Sequence, residues 1–557
     1  MIQVAAQPVA THPKGTKARI LLTSVFGPYA QDDAYGSRAI NPMELYHNQV
    51  TRAQGSFSLR MFHRSWGILM IQHNIEAPCT VLDFPTLEAF TKELTAQHYD
   101  VVGISGIIAN VGKVREMCRL IRKLSPHSQI VIGGHVAAIP GLDHMIDADL
   151  IVKGEGIAWF RRYLGQDDSA PITHPPLISA FHMRVLGMRM PEDPSSTAAT
   201  VIPSVGCPMG CNFCTTSSFF GGKGKSVNFF ESGEELYEVM DNTARELGVS
   251  SFFIMDENFL LNRKRALQLL ELMKKNGKSW AFYCFSSMNA IRQYTMEELV
   301  ALGVSWIWVG LESPRSGYAK LKDVDTIRMA AELRRNGIKL LGSTIVGLEH
   351  HTPENIRQEI DFAISHHTDF HQFMLYTPIP GTPLYEQMST EGRMLDGVSY
   401  GDIHGQFKFN FKHPAIDREQ SKKYLDWAFR HDFDVNGPSI FRICETMMQG
   451  WMSHKNDTDP RVRARFEHEA KQLKGTYNAA LWAMEHRLRK ANKEISLRIR
   501  ELRHRVEHEF GMASVMWRIF IGPVLLLSSK REDRRLAKGI TYEPPTFIER
   551  LHWNKGQ

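Results

Sequence analysis

Cysteine is scarce in this sequence, seven among 557 residues, and four of the seven (Cys79, Cys118, Cys284 and Cys444) stand alone. A disulfide framework needs many paired cysteines in a small domain, so that class is excluded and a reducing cytoplasm is the expected compartment. An excess of one charge is also missing. Lys and Arg number 66 against 60 Asp and Glu, a balance of +6, too mild for this length to argue for nucleic acid. No run of 18 apolar residues occurs, so no spanning helix is expected. Met1 to Ala18 show no basic segment followed by an apolar stretch, so no secretory signal is read there. Gly221-Gly222-Lys223-Gly224-Lys225 lacks the Gly-x4-Gly-Lys-Ser/Thr frame and the preceding strand of a phosphate loop, and reads as a flexible basic loop. No constellation of a hydrolase emerges either.

What is present is concentrated. Cys207-Pro208-Met209-Gly210-Cys211-Asn212-Phe213-Cys214 packs three thiols into eight residues directly after the apolar run Ala198 to Val205. Thiolates hold iron in Fe–S clusters, and a full cubane takes four ligands. Three cysteines with no fourth nearby leave one iron open to a small molecule, which suggests a catalytic cluster. Structural zinc favours Cys-x2-Cys with a matching second pair, and that pair is absent.

The chain is long enough for two or three domains. Residues 1–17, rich in Ala, Pro, Thr and Lys, read as a flexible tail. Over 18–165, apolar runs at Ala18 to Val25, Thr80 to Phe84, Asp100 to Gly106, Gln129 to His135 and Asp149 to Gly156 alternate with helix patterns. That alternation means βαβ units around a doubly wound parallel sheet. Ligands of such sheets sit beyond the carboxyl ends of the strands. Three of those ends are Ser105-Gly106, Gly133-Gly134-His135 and Gly154-Glu155-Gly156. The Asp-, Pro- and Ser-rich stretch 166–198 reads as a linker. Strand and helix then alternate through 199–411, giving six β/α steps with polar groups at the strand ends: Asp256-Glu257, Ser286-Ser287, Gly310-Leu311-Glu312-Ser313 and Thr377. In barrels the chemistry sits at those ends.

Cys-x3-Cys-x2-Cys with an aromatic before the last cysteine resembles the signature of the radical S-adenosylmethionine (SAM) superfamily. The resemblance implies a partial (β/α)6 barrel, a [4Fe-4S] cluster on Cys207, Cys211 and Cys214, and SAM on the open iron. It also implies that Phe213 lies near the adenine, that Gly310, Glu312 and Ser313 contact SAM, and that Asp256, with Glu257 beside it, lies near the ribose or the substrate. The preceding domain resembles the Rossmann-like cobalamin-binding domain of the cobalamin-dependent branch. By that resemblance Ser105, Gly106, Gly133, Gly134, His135, Gly154, Glu155 and Gly156 surround the corrin and its nucleotide tail. No Asp-x-His-x-x-Gly supplies a histidine beneath the cobalt, which is usual in this branch. The activity implied is methyl transfer to an unactivated carbon, with a reductant such as flavodoxin or ferredoxin as partner. A cyclase or rearrangement enzyme without methyl transfer is the enzymatic alternative, and a sensor binding Fe–S and cobalamin the non-enzymatic one.

Residues 412–557 read as an α-helical domain. Asp459 to His508 is highly charged with both signs interleaved, and Tyr477, Leu481, Met484 and Leu488 recur at heptad-like spacing, as in a packed hairpin. Ser514 to Ser529 is the most apolar stretch, interrupted by Arg518 and Pro523 and too short to span. A helix packed against the barrel is the slightly favoured reading. An interfacial helix, peripheral to the inner face of a membrane, is the other. Together with the helical domain, the apolar tail points to a hydrophobic substrate, hopanoid-like or acyl.

Overall fold

The computed structural model describes residues 10–29, 31–38, 49–194, 196–312, 318 and 324–553. Strands β1 (Ile20–Ser24), β2 (Cys79–Asp83), β3 (Val101–Ser105), β4 (Gln129–Gly133) and β5 (Leu150–Ile151) lie parallel in the order β2-β1-β3-β4-β5. They read as continuous apolar runs because both faces are covered. Leu21 enters one core with the helix Val111–Leu124, while Ile20 and Leu22 enter the other with the helix Gly156–Tyr163. The order reverses between β1 and β3, so a crevice opens at their carboxyl ends.

The second sheet contains β6 (Ala198–Val201), β7 (Ser251–Ile254), β8 (Ala281–Ser286), β9 (Val304–Gly310), β10 (Lys339–Val346) and β11 (Phe370–Leu375), parallel and in chain order. These are the six β/α steps that the alternation predicts, in the order of the partial barrel that the resemblance implies. Side chains alternate along each strand. Phe282, Cys284, Ile307 and Val309 bury outward in the helix-lined core, and Tyr283, Phe285, Trp306 and Trp308 remain half-buried on the other face. Those inner aromatics touch in a chain: Phe253 stacks on Tyr283 at 4.6 Å, Phe285 meets Trp308 at 5.0 Å, and Trp306 stacks on Phe370 at 5.4 Å.

Two expectations need correction. The stretch 166–198 is not a bare linker. Leu177–Ile178 pairs antiparallel with β6, and Phe181–Val185 and Met188–Arg189 form a three-stranded antiparallel sheet with Arg60–Phe62. These strands are so short that the surrounding Pro, Ser and Asp outweigh their apolar alternation. The C-terminal region is likewise not helical throughout, because β12 (Phe547–Leu551) returns to pair antiparallel with β2 and covers the open edge of the first sheet.

Between them, the helix Arg418–Asn436 packs against β11, and the helices Ser439–His454, Pro460–Gln472, Asn478–Leu488 and Lys493–Phe510 pack on the amino-terminal side of the barrel strands. Leu481, Met484 and Leu488 are buried, as their spacing predicts. Arg442, 1 % exposed, ties this region together by pairing with Asp432 at 2.7 Å and donating to Thr368 O at 2.9 Å. Arg442→Met is expected to strand the buried Asp432 carboxylate and cost about 3 kcal/mol, read from urea denaturation.

The apolar C-terminal stretch is also longer and more exposed than expected. It forms one 26-residue helix, Met512–Ala537, that passes through Arg518 and Pro523. Its length and hydropathy would suffice to cross a membrane, and only 22 % of its most apolar window is buried. Continuity is possible because Arg518 pairs with Glu507 at 2.6 Å and Pro523 lies on the exposed side, where the carbonyl it frees can be hydrated.

Candidate active site

The carboxyl ends of β6 to β11 meet on one side of the barrel, and the three-cysteine loop lies there. The segment Ser204–Val205 pairs with Val227–Asn228 and delivers the chain into the loop. Gly210 has φ +65°, and a Cβ there would lie 2.4 Å from Lys223 Cβ, so only glycine permits this turn. The helix Thr215–Phe219 closes the loop, with Cys214 at its N-cap. Ser217 Oγ donates to Cys207 O at 2.7 Å, holding the two ends of the motif together.

Cys207, Cys211 and Cys214 are half-buried and form no disulfide, whereas the four scattered cysteines are fully buried. Burial, together with its two neighbouring thiols and Glu257, pushes the Cys207 thiol up to about 11. Three thiolates so close together repel one another, and a cationic iron centre would relieve that repulsion. Three thiols without a matching further pair leave a tetrahedral zinc one ligand short. The donor set therefore fits a multi-iron cluster better than one tetrahedral zinc.

A second donor group, His350, His351 and Glu359, does lie within 4.8 Å. One ring nitrogen of His351 accepts the Gly347 N–H at 3.0 Å. The other then keeps the proton, which leaves no lone pair for a cation.

Around the loop, Phe213 meets Tyr318 edge-on at 5.2 Å, and Asn212 lies 3.4 Å from both Tyr318 Oη and Tyr376 Oη. Gly310 ends β9 in register with Ser343 of β10, and Glu312 follows it, 4 % exposed. Ser313 lies outside the described residues. Asp256 is at the predicted strand end, but its oxygens are taken by Arg265, by Ser204 Oγ at 2.8 Å and by Asn258 N at 2.9 Å. It therefore clamps the strand end to the entrance of the cysteine loop. Its neighbour Glu257 is not held in this way. Burial, reinforced by Asp256, pushes Glu257 up to about 7, and its Oε2 has no hydrogen-bond partner among the described residues. The sequence puts both acids at one strand end. Ser204, 52 residues before Asp256, and Arg265, nine residues after it, decide between them.

The glycine-rich ends of the first sheet also converge. Ser105, Gly133, Gly134, His135, Gly154, Glu155 and Gly156 line an apolar cavity of about 220 Å³ walled by Ile68, Ile104, Val131 and Phe160. Gly106 lines an adjoining cavity of about 130 Å³ that shares Ser105, Gly134 and His135. A Cβ on Gly134 would sit 2.6 Å from Gly106 O, and one on Gly156 would meet Ile71 at 2.7 Å, whereas one on Gly133 would meet nothing within 4 Å. Glu155 serves otherwise than the resemblance implies, since its carboxylate caps the helix Gly156–Tyr163 by accepting from Ile157 N and from Ala158 N at 2.8 Å. His135 contacts Phe219 at 4.8 Å, and burial pushes it down to about 4, so a neutral imidazole faces the cavity at pH 7. Phe219 and Phe220, which end and follow the helix that Cys214 caps, form part of the cavity wall. Five helical residues rise only about 7 Å, so the cysteine loop and the cavity are immediate neighbours.

Residues 201–363 match the radical SAM superfamily. An uncharacterized methyltransferase of Pyrococcus horikoshii, PH0819, is 24 % identical over 369 residues, 59 % of this chain and 79 % of that protein. The bacteriochlorophyllide d C-12(1)-methyltransferase of Chlorobaculum tepidum is 30 % identical over 263 residues, 42 % of this chain and 56 % of that protein. Among solved structures, the radical SAM methyltransferase TsrM of Kitasatospora setae, determined with cobalamin and a [4Fe-4S] cluster bound, superposes with a TM-score of 0.50 at 16 % identity. That match covers 82 % of this chain and 99 % of TsrM. At this identity the likeness is one of fold.

Proposed function

The chain belongs to the radical SAM superfamily through residues 201–363, and from that premise we propose that it is a cobalamin-dependent methyltransferase acting on an unactivated carbon of an apolar substrate. The observation that carries the proposal is the shared wall, in which the helix capped by Cys214 runs directly into the glycine-lined cavity of the first domain. When bound, the cluster with SAM would supply hydrogen-atom abstraction from carbon, and cobalamin would supply a transferable methyl group.

The chain's own residues bind, orient and exclude water. Cys207, Cys211 and Cys214 would hold the cluster, with Gly310, Glu312 and Phe213 beside it. The slot lined by Gly133, Gly134 and His135 is apolar enough for a flat base, and Gly134 lets such a group approach the backbone. Phe219 and Phe220 form the wall between the two sites. Glu257 can hold or release a proton at Oε2 near neutral pH.

An apolar substrate is supported by the half-buried aromatics of β8 and β9. The Chlorobaculum relative is named for methyl transfer to bacteriochlorophyllide d.

The test is anaerobic reconstitution with iron, sulfide and cobalamin, followed by mass spectrometry of SAM-derived products with apolar cell extract added. S-adenosylhomocysteine appearing together with 5′-deoxyadenosine is expected. 5′-Deoxyadenosine alone would turn the reading to a cyclase or rearrangement, and no SAM cleavage would turn it to a sensor. Gly133→Leu probes the cobalamin slot separately. Because the site around Gly133 is open and its φ is ordinary, the thermal midpoint should be unchanged while cobalamin affinity falls at least about tenfold. Unchanged cobalamin binding would remove the slot from the proposal.

A further inference from the structure

The helix Met512–Ala537 carries two surfaces. One is anchored along its length. Leu525 is fully buried, Gly522 lies against Trp482, where a Cβ would come within 2.7 Å of the ring, and Arg518 and Glu532 pair with Glu507 at 2.6 Å and Arg60 at 3.1 Å. The other is bare. Met512, Met516, Phe520 and Leu527 are 72, 43, 63 and 56 % exposed, and their spacing puts them on one stripe. The same stripe continues past Leu527 into Lys530, Arg531, Arg534 and Lys538, all exposed, and no carboxylate pairs with any of them among the described residues.

An exposed apolar stripe of this length is rare on a soluble surface and marks a contact. Its continuation into unpaired cations selects the partner. Two copies meeting on this face would set cations against cations or against apolar side chains. The surface of an anionic bilayer offers apolar depth and negative charge together. Crossing is ruled out because the buried side of the helix is tied to its own domain at both ends. Trp517, 45 % exposed on the flank of the stripe, suits the level of the headgroups.

We propose that this helix docks the protein on an anionic membrane, lying in the plane of the interface with Met512, Met516, Phe520 and Leu527 inserted and the cations downstream on the headgroups. The inference stands apart from the methyl-transfer reading and is tested without SAM or cobalamin.

The full chain is sedimented with vesicles of phosphatidylcholine, with and without phosphatidylserine, at low and high salt. Binding at least about tenfold tighter with phosphatidylserine, weakened by salt, is expected. A Phe520→Ser and Leu527→Ser variant, and separately an Arg531→Glu and Arg534→Glu variant, should each lose about tenfold in affinity. All four side chains are exposed, so the thermal midpoint should not move. Trp517 fluorescence should shift to the blue on binding. Equal pelleting with both vesicles or with none overturns the proposal. So does a dimer in light scattering that the same variants dissolve, which would make this face a contact between copies.

Discussion

Cys211→Ala is expected to abolish iron-dependent chemistry while leaving the fold intact. Cys211 is half-buried, and its main-chain carbonyl accepts Cys214 N at 3.0 Å, a contact that alanine keeps. Removal of the sulfur leaves two ligands where a cubane in this family has three. Anaerobically reconstituted variant should therefore lack the brown chromophore and the iron of the parent. SAM cleavage should fall at least about a thousandfold, about 4 kcal/mol of barrier. Far-ultraviolet circular dichroism should match that of the parent. Cys284→Ala is the control, because that thiol is fully buried between the barrel and its helices, and its loss should cost stability but not iron. Full iron content in Cys211→Ala would sink the cluster assignment.

Acid should unfold this protein well above the range where its carboxylates protonate. His351 and His371 are 2 and 1 % exposed, and burial pushes each down to about 3. His371 is held neutral with both ring nitrogens spent, one on Thr344 Oγ1 at 2.9 Å and the other on Thr368 Oγ1 at 3.1 Å. The unfolded chain takes up these protons as pH falls through about 6.5, whereas the folded chain resists until about 3. The stability they secure is thus complete above pH 6.5 and is lost progressively below it. At pH 4.5 each histidine has lost about 2 to 3 kcal/mol and the pair about 5, a large part of a typical domain's total stability. Urea midpoints measured between pH 7.5 and 4.5 should fall steeply, and His371→Gln should remove about half of the pair's share. A midpoint independent of pH would show that these rings titrate normally in the folded state.

Legibility in the sequence followed the range of the interactions. The parallel strands and the three-cysteine loop could be read directly, because apolar runs of five or six residues and a spacing of three cysteines are local patterns. Gly133, Gly134 and Gly156 were recognisable as strand-end glycines, and the structure supplies their reasons in close approaches and an open slot. Asp256 and Glu257 could not be told apart, because Arg265 and Ser204 claim one carboxylate and leave the other. Glu155 looked like a ligand and is a helix cap, a role that depends on where its helix begins. The helix Met512–Ala537 could be read for composition but not for exposure, since an apolar stripe says only that something covers it.

The amino-acid order alone determined the succession of a doubly wound sheet, a six-step barrel and a helical region, and the residues available to hold iron, because these follow from periodicity and from donor chemistry within short stretches. The tertiary structure decided which strand-end carboxyl keeps an oxygen without a partner among the described residues, that the third cysteine and the first domain's cavity share a wall, that β12 returns to close the first sheet, and which side of the last helix is left bare. Each of these depends on residues far apart in the chain being brought within a few ångströms, and packing energy, rather than local preference, determines that proximity.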